Sequence, residues 1–162
     1  YNISRPMSGF RNTPRFLLRL IHFPPRLAYA IGLGPVIGRL VMLLATTGRK
    51  SGKQRITPLQ YEEQDEKIYL GSALGVQADW VRNIMANPVV NVQVGSRRFS
   101  GLAEVVTDPA RIADFLELRL HHHPRMISAM LRGEGFSMPP TRQDLEKYAV
   151  QLALVIISPL GK

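Results

Sequence analysis

The sequence predicts an α+β fold: a small, partly open antiparallel β-barrel with flanking helices and a basic amphipathic helix near the N-terminus. Three observations carry this. About six short strand-like segments follow one another mostly through tight turns, as in a meander. Helical patterns are confined to the start, the middle and the region near the end. No strand alternates with a helix in βαβ units, and GxGxxG, Walker and HExxH motifs are absent, which sets aside Rossmann dehydrogenases, P-loop NTPases and zincins.

The first third reads as an arm. Thr13-Pro14 is a helix start, an N-cap followed by proline in the first turn. Arg15, Arg19 and His22 then share one face, while Phe16, Leu17, Leu20 and Phe23 occupy much of the rest, until Pro24-Pro25 ends the helix. Leu27 to Gly38 is apolar for twelve residues before Arg39 interrupts it. A membrane span needs roughly 20 apolar residues, so none is expected. The helix packs on the domain or lies as a peripheral anchor on an anionic membrane surface. The expected division is a basic helical arm at 1–38 and a barrel domain at 39–162.

Strand and turn signals follow. Leu40–Thr46 is a short apolar run suited to a buried strand, and Gly48 to Gly52 is a basic, glycine-bounded loop. Arg55–Glu62 reads as a strand in which Pro58 implies an edge or a bulge. Gln64-Asp65-Glu66 makes a turn into the strand Lys67–Ser72. Ala78–Ala86 is helical and closes at Asn87-Pro88. Val89–Val94 alternates with Asn91 and Gln93, turns at Gly95-Ser96 and returns as Arg97–Val106. Thr107-Asp108-Pro109 caps a long helix expected from Ala110 to Leu131, and Arg132–Thr141 reads as a Gly/Pro loop. A helix over Thr141–Ala149 and a strand over Leu152–Ser158 complete the chain.

Length and composition agree with one globular core: 162 residues, 45% apolar and 20% charged. Cysteine is absent, which excludes disulfides and thiolate chemistry and fits a reducing, cytoplasmic setting. The net charge of +9 is uneven. Residues 1–55 hold ten basic residues and no acid, whereas residues 56–162 hold eleven basic and twelve acidic residues. Such a field attracts an anionic partner: a phosphorylated ligand, a nucleic acid or the inner face of a membrane. Aromatic residues are sparse in the basic stretch, which argues against nucleic acid.

Two constellations carry chemistry. In Thr46-Thr47-Gly48-Arg49-Lys50-Ser51-Gly52, followed by Lys53 and Arg55, glycines allow close backbone approach while hydroxyls, amides and cations form an anion cradle. The alternative is a basic hairpin turn. In Ser72-Ala73-Leu74-Gly75 leading to Asp79-Trp80-Val81-Arg82-Asn83, a small-residue loop opens a helix, and Trp80 offers a flat wall or plugs the core. His121-His122-His123 reads as a solvated helix end, because consecutive positions on a helix point in different directions and cannot share one ion.

In this order and spacing, TTGRKSGKQRITPL (Thr46 to Leu59), GSALG (Gly71 to Gly75) and DWVRNIMANPVVNVQVG (Asp79 to Gly95) resemble the deazaflavin-dependent nitroreductase family, oxidoreductases that use coenzyme F-420. The resemblance is good over residues 39–125. His123-Pro124-Arg125 and Val155–Pro159 add to it less specifically.

The resemblance implies a split β-barrel of the FMN-binding kind. It implies that Arg49, Lys50, Ser51 and Arg55, with Ile56, Thr57, Pro58 and Leu59 alongside, hold the phosphate and acidic tail of the deazaflavin. The ring would lie against Leu70, Gly71, Ser72 and Ala73 and against Asp79, Trp80, Val81, Arg82 and Asn83, with Ser72 as a hydrogen-bond donor. No metal is implied, nor any catalytic residue, since the cofactor carries the hydride. The acceptor would be a small electron-poor molecule, a quinone or a nitroaromatic, bounded by the Arg132–Thr141 loop, and the protein a monomer or homodimer. Val81 stands where many relatives have tyrosine, which bears on the acceptor. The rivals are the same barrel holding flavin mononucleotide and a non-enzymatic basic module at a membrane. The four cations Arg49, Lys50, Lys53 and Arg55 favour the longer polyanionic tail of the deazaflavin.

Overall fold

The computed structural model describes residues 41–161. The arm expected at 1–38 lies outside these residues.

Among the described residues the strands are β1 (Val41–Thr47), β2 (Gln54–Gln60), β3 (Glu62–Gln64), β4 (Lys67–Ser72), β5 (Val89–Val94), β6 (Arg97–Val106) and β7 (Ala153–Pro159). The helices are α1 (Asp79–Ala86), α2 (Pro109–His122), α3 (Pro124–Gly133) and α4 (Arg142–Ala149). All strands pair antiparallel in one sheet of order β2-β1-β5-β6-β7-β4-β3. The edge strands β2 and β3 lie at opposite ends of that order, yet only Tyr61 separates them in sequence. The sheet therefore curls until its edges approach, which makes the expected half-open barrel. Pro58, with no amide hydrogen, sits on the β2 edge, where one ladder bond fewer is tolerated.

Period-two alternation sorts the side chains into two layers. Met42 and Leu44 of β1, Ile68 and Leu70 of β4, Val90, Val92 and Val94 of β5, and Val155 and Ile157 of β7 fill the barrel. Ala78, Val81 and Ile84 from the start and inner face of α1 join that core. The alternate residues of β7, Leu154 and Ile156, face outward and are covered by Ile112, Phe115 and Leu116 of α2, Ile127 and Leu131 of α3, and Leu145 and Tyr148 of α4. At about 25 cal/mol per Å² these two apolar layers supply the main driving force for folding.

Local chemistry fixes the connections. Asp65 and Glu66 both take positive φ, as a two-residue hairpin turn with right-handed strand twist requires. Asp108 caps α2 by accepting from the Ala110 amide, and Thr141 and Asp144 form a reciprocal capping box at α4. Arg142 of α4 clasps α2 through Asp114, Glu117 and the Ala110 carbonyl.

The long helix expected from Ala110 to Leu131 is broken. His123 has φ −133° and ψ 60°, between α2 and α3. The cause is Pro124, which lacks an amide hydrogen and pushes the preceding residue out of the helical region. The loop expected to begin at Arg132 consequently begins after Gly133.

Arg97 holds the Glu63 carboxyl below its usual range by hydrogen bonding, Arg111 does the same to Glu104, and the Thr141 backbone and hydroxyl lower Asp144. A lowered carboxyl contributes stability that is present above its unfolded value and lost as the pH falls through its folded one. Melting temperature should therefore hold steady down to about pH 4.5 and fall below it. The fall should be shallower in Glu63→Gln; an identical acid limb in that variant refutes the assignment.

Candidate active-site groove

The basic loop and the small-residue segment meet on one side of the barrel. β1 ends at Thr47 and β2 begins at Gln54, so residues 48–53 form the hairpin turn between them. The Gly48 amide donates to the Lys53 carbonyl at 2.7 Å and the Gly52 amide to the Gly48 carbonyl at 2.8 Å. A Cβ on Gly48 would lie 2.8 Å from Ser51 Oγ and 3.0 Å from the Lys53 carbonyl oxygen, so the turn needs a glycine there. The first turn of α1 stands opposite. Together they enclose a groove of about 440 Å³, lined by Gly48, Arg49, Lys50, Ser51, Arg55, Thr57, Asp79, Trp80 and Asn83.

β2 supplies the cationic wall by alternation. Arg55, Thr57 and Leu59 share a face: the first two line the groove, and Leu59 continues onto the barrel core. Ile56 and Pro58 consequently turn their side chains to the other face. Among the described residues, no carboxylate pairs with Lys50, Lys53 or Arg55, so their charge is uncompensated. Trp80 both lines the groove and packs on the barrel core, so wall and plug are one residue.

Arg49 differs from its neighbours. Its guanidinium donates to Asp79 Oδ1 at 2.9 Å and to Asn83 Oδ1 at 3.1 Å, and its backbone amide donates to the same Asn83 oxygen at 3.1 Å. Asn83 is 5% exposed and donates from Nδ2 to Thr46 Oγ1 at 3.2 Å. A buried amide of this kind is stable only because both its ends are satisfied.

Several residues expected at the ring are buried, engaged elsewhere or outside the groove lining. The Ser72 hydroxyl is buried and donates to the Gly75 carbonyl at 2.8 Å, so its proton holds the loop. Val81 and Leu70 are fully buried in the barrel core. Gly71 faces the helical layer, where a Cβ would lie 3.1 Å from the Phe115 ring. Arg82 is exposed and hydrogen-bonds Gln77 outside the groove. Ala73 is exposed and does not line the groove. Thr46, expected to lend its hydroxyl to the anion cradle, is instead buried and serves as the anchor of Asn83.

The three histidines behave otherwise than a continuous helix predicts. Because the helix ends at His123, His122 Nδ1 and His123 Nε2 both reach the buried Glu62 carboxylate, at 3.0 and 3.1 Å. Arg119 lies 3.4 Å from the same carboxylate. Among the described residues no group suits a metal ion, and no helix there is long and apolar enough to cross a membrane.

Comparison with known proteins agrees with this geometry. A 74-residue stretch is 39% identical to a putative F420H(2)-dependent quinone reductase of Mycobacterium tuberculosis, over 43% of this chain and 61% of that protein. A second M. tuberculosis protein, named an F420H(2)-dependent quinone reductase, is 34% identical over 68 residues, 40% of this chain and 46% of the relative. The matches thus span about half to three fifths of these relatives' lengths. The solved structure of an F420-H2 dependent reductase superposes with a TM-score of 0.50 over 74% of this chain and 95% of that one, at 23% identity, and shows the shared split-barrel fold. The sequence model of the family matches residues 30–127, more than half of the chain and all of the groove-lining residues, and on that match this protein belongs to the F420H(2)-dependent quinone reductase family.

Proposed function

We propose that this protein is an oxidoreductase that binds the deazaflavin coenzyme F-420 in the groove between the 48–53 turn and α1. The observation that carries the reading is the pair Lys50 and Arg55, two cations without carboxylate partners, facing Trp80 across one groove. The residues fit the group. Lys50 and Arg55, with the Ser51 hydroxyl and the turn amides, would hold an acidic tail and phosphate by charge-assisted hydrogen bonds. Thr57 and Trp80 would flank the planar ring, and Trp80 supplies an apolar face. The family match favours the deazaflavin over flavin mononucleotide.

When bound, the reduced deazaflavin supplies a hydride to an electron-poor acceptor, a quinone or a nitroaromatic. The protein's part is positional. The Ser72–Gly75 bond fixes the loop ahead of α1, and the α1 side chains Val81 and Ile84, locked in the barrel core, hold Trp80 in place. No side chain of the groove is needed as a nucleophile or acid, so single substitutions should lower affinity more than they change the chemistry.

Trp80 is the only tryptophan, so its emission reports on the groove alone. Titrating oxidised coenzyme F-420 should quench it saturably, and Trp80→Phe should weaken binding and lower the melting temperature together, by about 1 kcal/mol of stability. Absence of both quenching and heat in calorimetry overturns the binding site. Binding without reoxidation of the reduced coenzyme by any quinone or nitroaromatic overturns the reaction.

A further inference from the structure

By residue type, Arg49, Lys50 and Arg55 are equivalent members of one anion cradle; by contacts they are not. We propose that Arg49 is a positioning residue that braces the 48–53 turn against α1, and that Lys50 and Arg55 alone present free charge to the anion. The inference rests on the reading that the groove holds an anionic coenzyme.

The contacts carry it. A guanidinium has five N–H donors in a fixed fork. Arg49 directs one terminal nitrogen at Asn83 Oδ1, at 3.1 Å, and at the Asp79 carbonyl, at 3.4 Å, and the other at Asp79 Oδ1, at 2.9 Å. Its side chain is only 25% exposed. Asn83 Oδ1 also accepts from the Arg49 backbone amide, so one oxygen orients both ends of the residue. The buried Asn83 amide is anchored in turn on Thr46, the penultimate residue of β1. The end of β1, the turn and α1 are thereby joined through a single hub. Asp79 offsets the Arg49 charge, so the cationic character of the groove comes from Lys50 and Arg55. Lysine cannot replace this fork, because one ammonium cannot reach Asn83 and Asp79 in the same geometry.

Two measurements on the full chain test this. The first needs no ligand: amide hydrogen exchange at Gly52, whose N–H closes the turn on Gly48. Arg49→Gln should speed that exchange, Arg49→Lys should not restore it, and Lys50→Gln should leave it unchanged. The second is the affinity for oxidised coenzyme F-420 in Arg49→Gln, Arg49→Lys, Asn83→Ser and the Arg49→Gln, Asn83→Ser double variant. A brace predicts that each single change weakens binding by roughly 10-fold and that the double variant is no weaker, because both break one unit. Additive losses, retained affinity in Arg49→Lys, or unchanged Gly52 exchange in Arg49→Gln make Arg49 a direct ligand and overturn the proposal. If Asn83→Ser fails to fold, exchange in Asp79→Ala, which removes the Oδ1 acceptor of Arg49 at an exposed position, tests the brace instead: Gly52 exchange should speed up, and an unchanged rate overturns the proposal. If the unmodified chain does not bind the coenzyme at all, the functional reading falls, and the brace is decided by the exchange result alone.

Discussion

Reversing Lys50 and Arg55 together, as Lys50→Glu with Arg55→Glu, is expected to weaken coenzyme F-420 binding by at least about 100-fold, since each charge-assisted hydrogen bond contributes about 1.5–3 kcal/mol. The two residues line the groove and have no carboxylate partner among the described residues, so nothing within the protein is lost with them. Both are exposed, and the melting temperature should change little. The affinity of the unmodified protein should also fall steeply with salt, because exposed charges are screened beyond about 10 Å at 0.1 M ionic strength. The slope should flatten in the reversed protein. A reversed protein that binds as tightly as the original at low salt removes the anion from this groove. One that binds weakly but has also unfolded is separated by its melting curve.

The strands were legible wherever burial is one-sided. Val89–Val94 shows Val90, Val92 and Val94 alternating with Asn91 and Gln93, and the structure places it at those residues. Pro58 marked an edge strand and Asp65-Glu66 a turn for reasons confined to a few residues. Both halves of the site were also legible, as a basic glycine-bounded loop and a strand-end loop running into a helix. What escaped was long-range. That Arg49 is held by α1 depends on Asn83, 34 residues away, and no local pattern encodes that contact. Val81 was expected at the ring from the resemblance, but helical phase turns it into the barrel core. The helix break was readable at Pro124, which lies inside the stretch expected as one helix from Ala110 to Leu131. Its consequence, two adjacent imidazoles on one carboxylate, also required Glu62 from β3, 60 residues earlier.

That carboxylate should be the most stability-sensitive polar group of the fold. Glu62 is 6% exposed, and its oxygens meet His122, His123 and Arg119, whose side chain is itself mostly buried. Burial alone lowers the Arg119 pKa, and Glu62 opposes that shift. Arg119 also hydrogen-bonds Gln60 and lies 5.9 Å above the Phe115 ring, so it cannot swing into water without leaving several partners. Glu62→Ala therefore strands a buried guanidinium beside two imidazoles, and the loss should be about 3–5 kcal/mol. Glu62→Gln keeps one acceptor without the charge and should fall between. Removing the charge on both sides, as Glu62→Leu with Arg119→Met, should recover most of the loss, because a buried ion pair barely repays its own desolvation. None of these residues lines the groove, so coenzyme affinity per folded molecule should stay constant across the series. Equal destabilisation in the single and the compensated variant would show that packing at β3, and not the stranded charge, sets the loss.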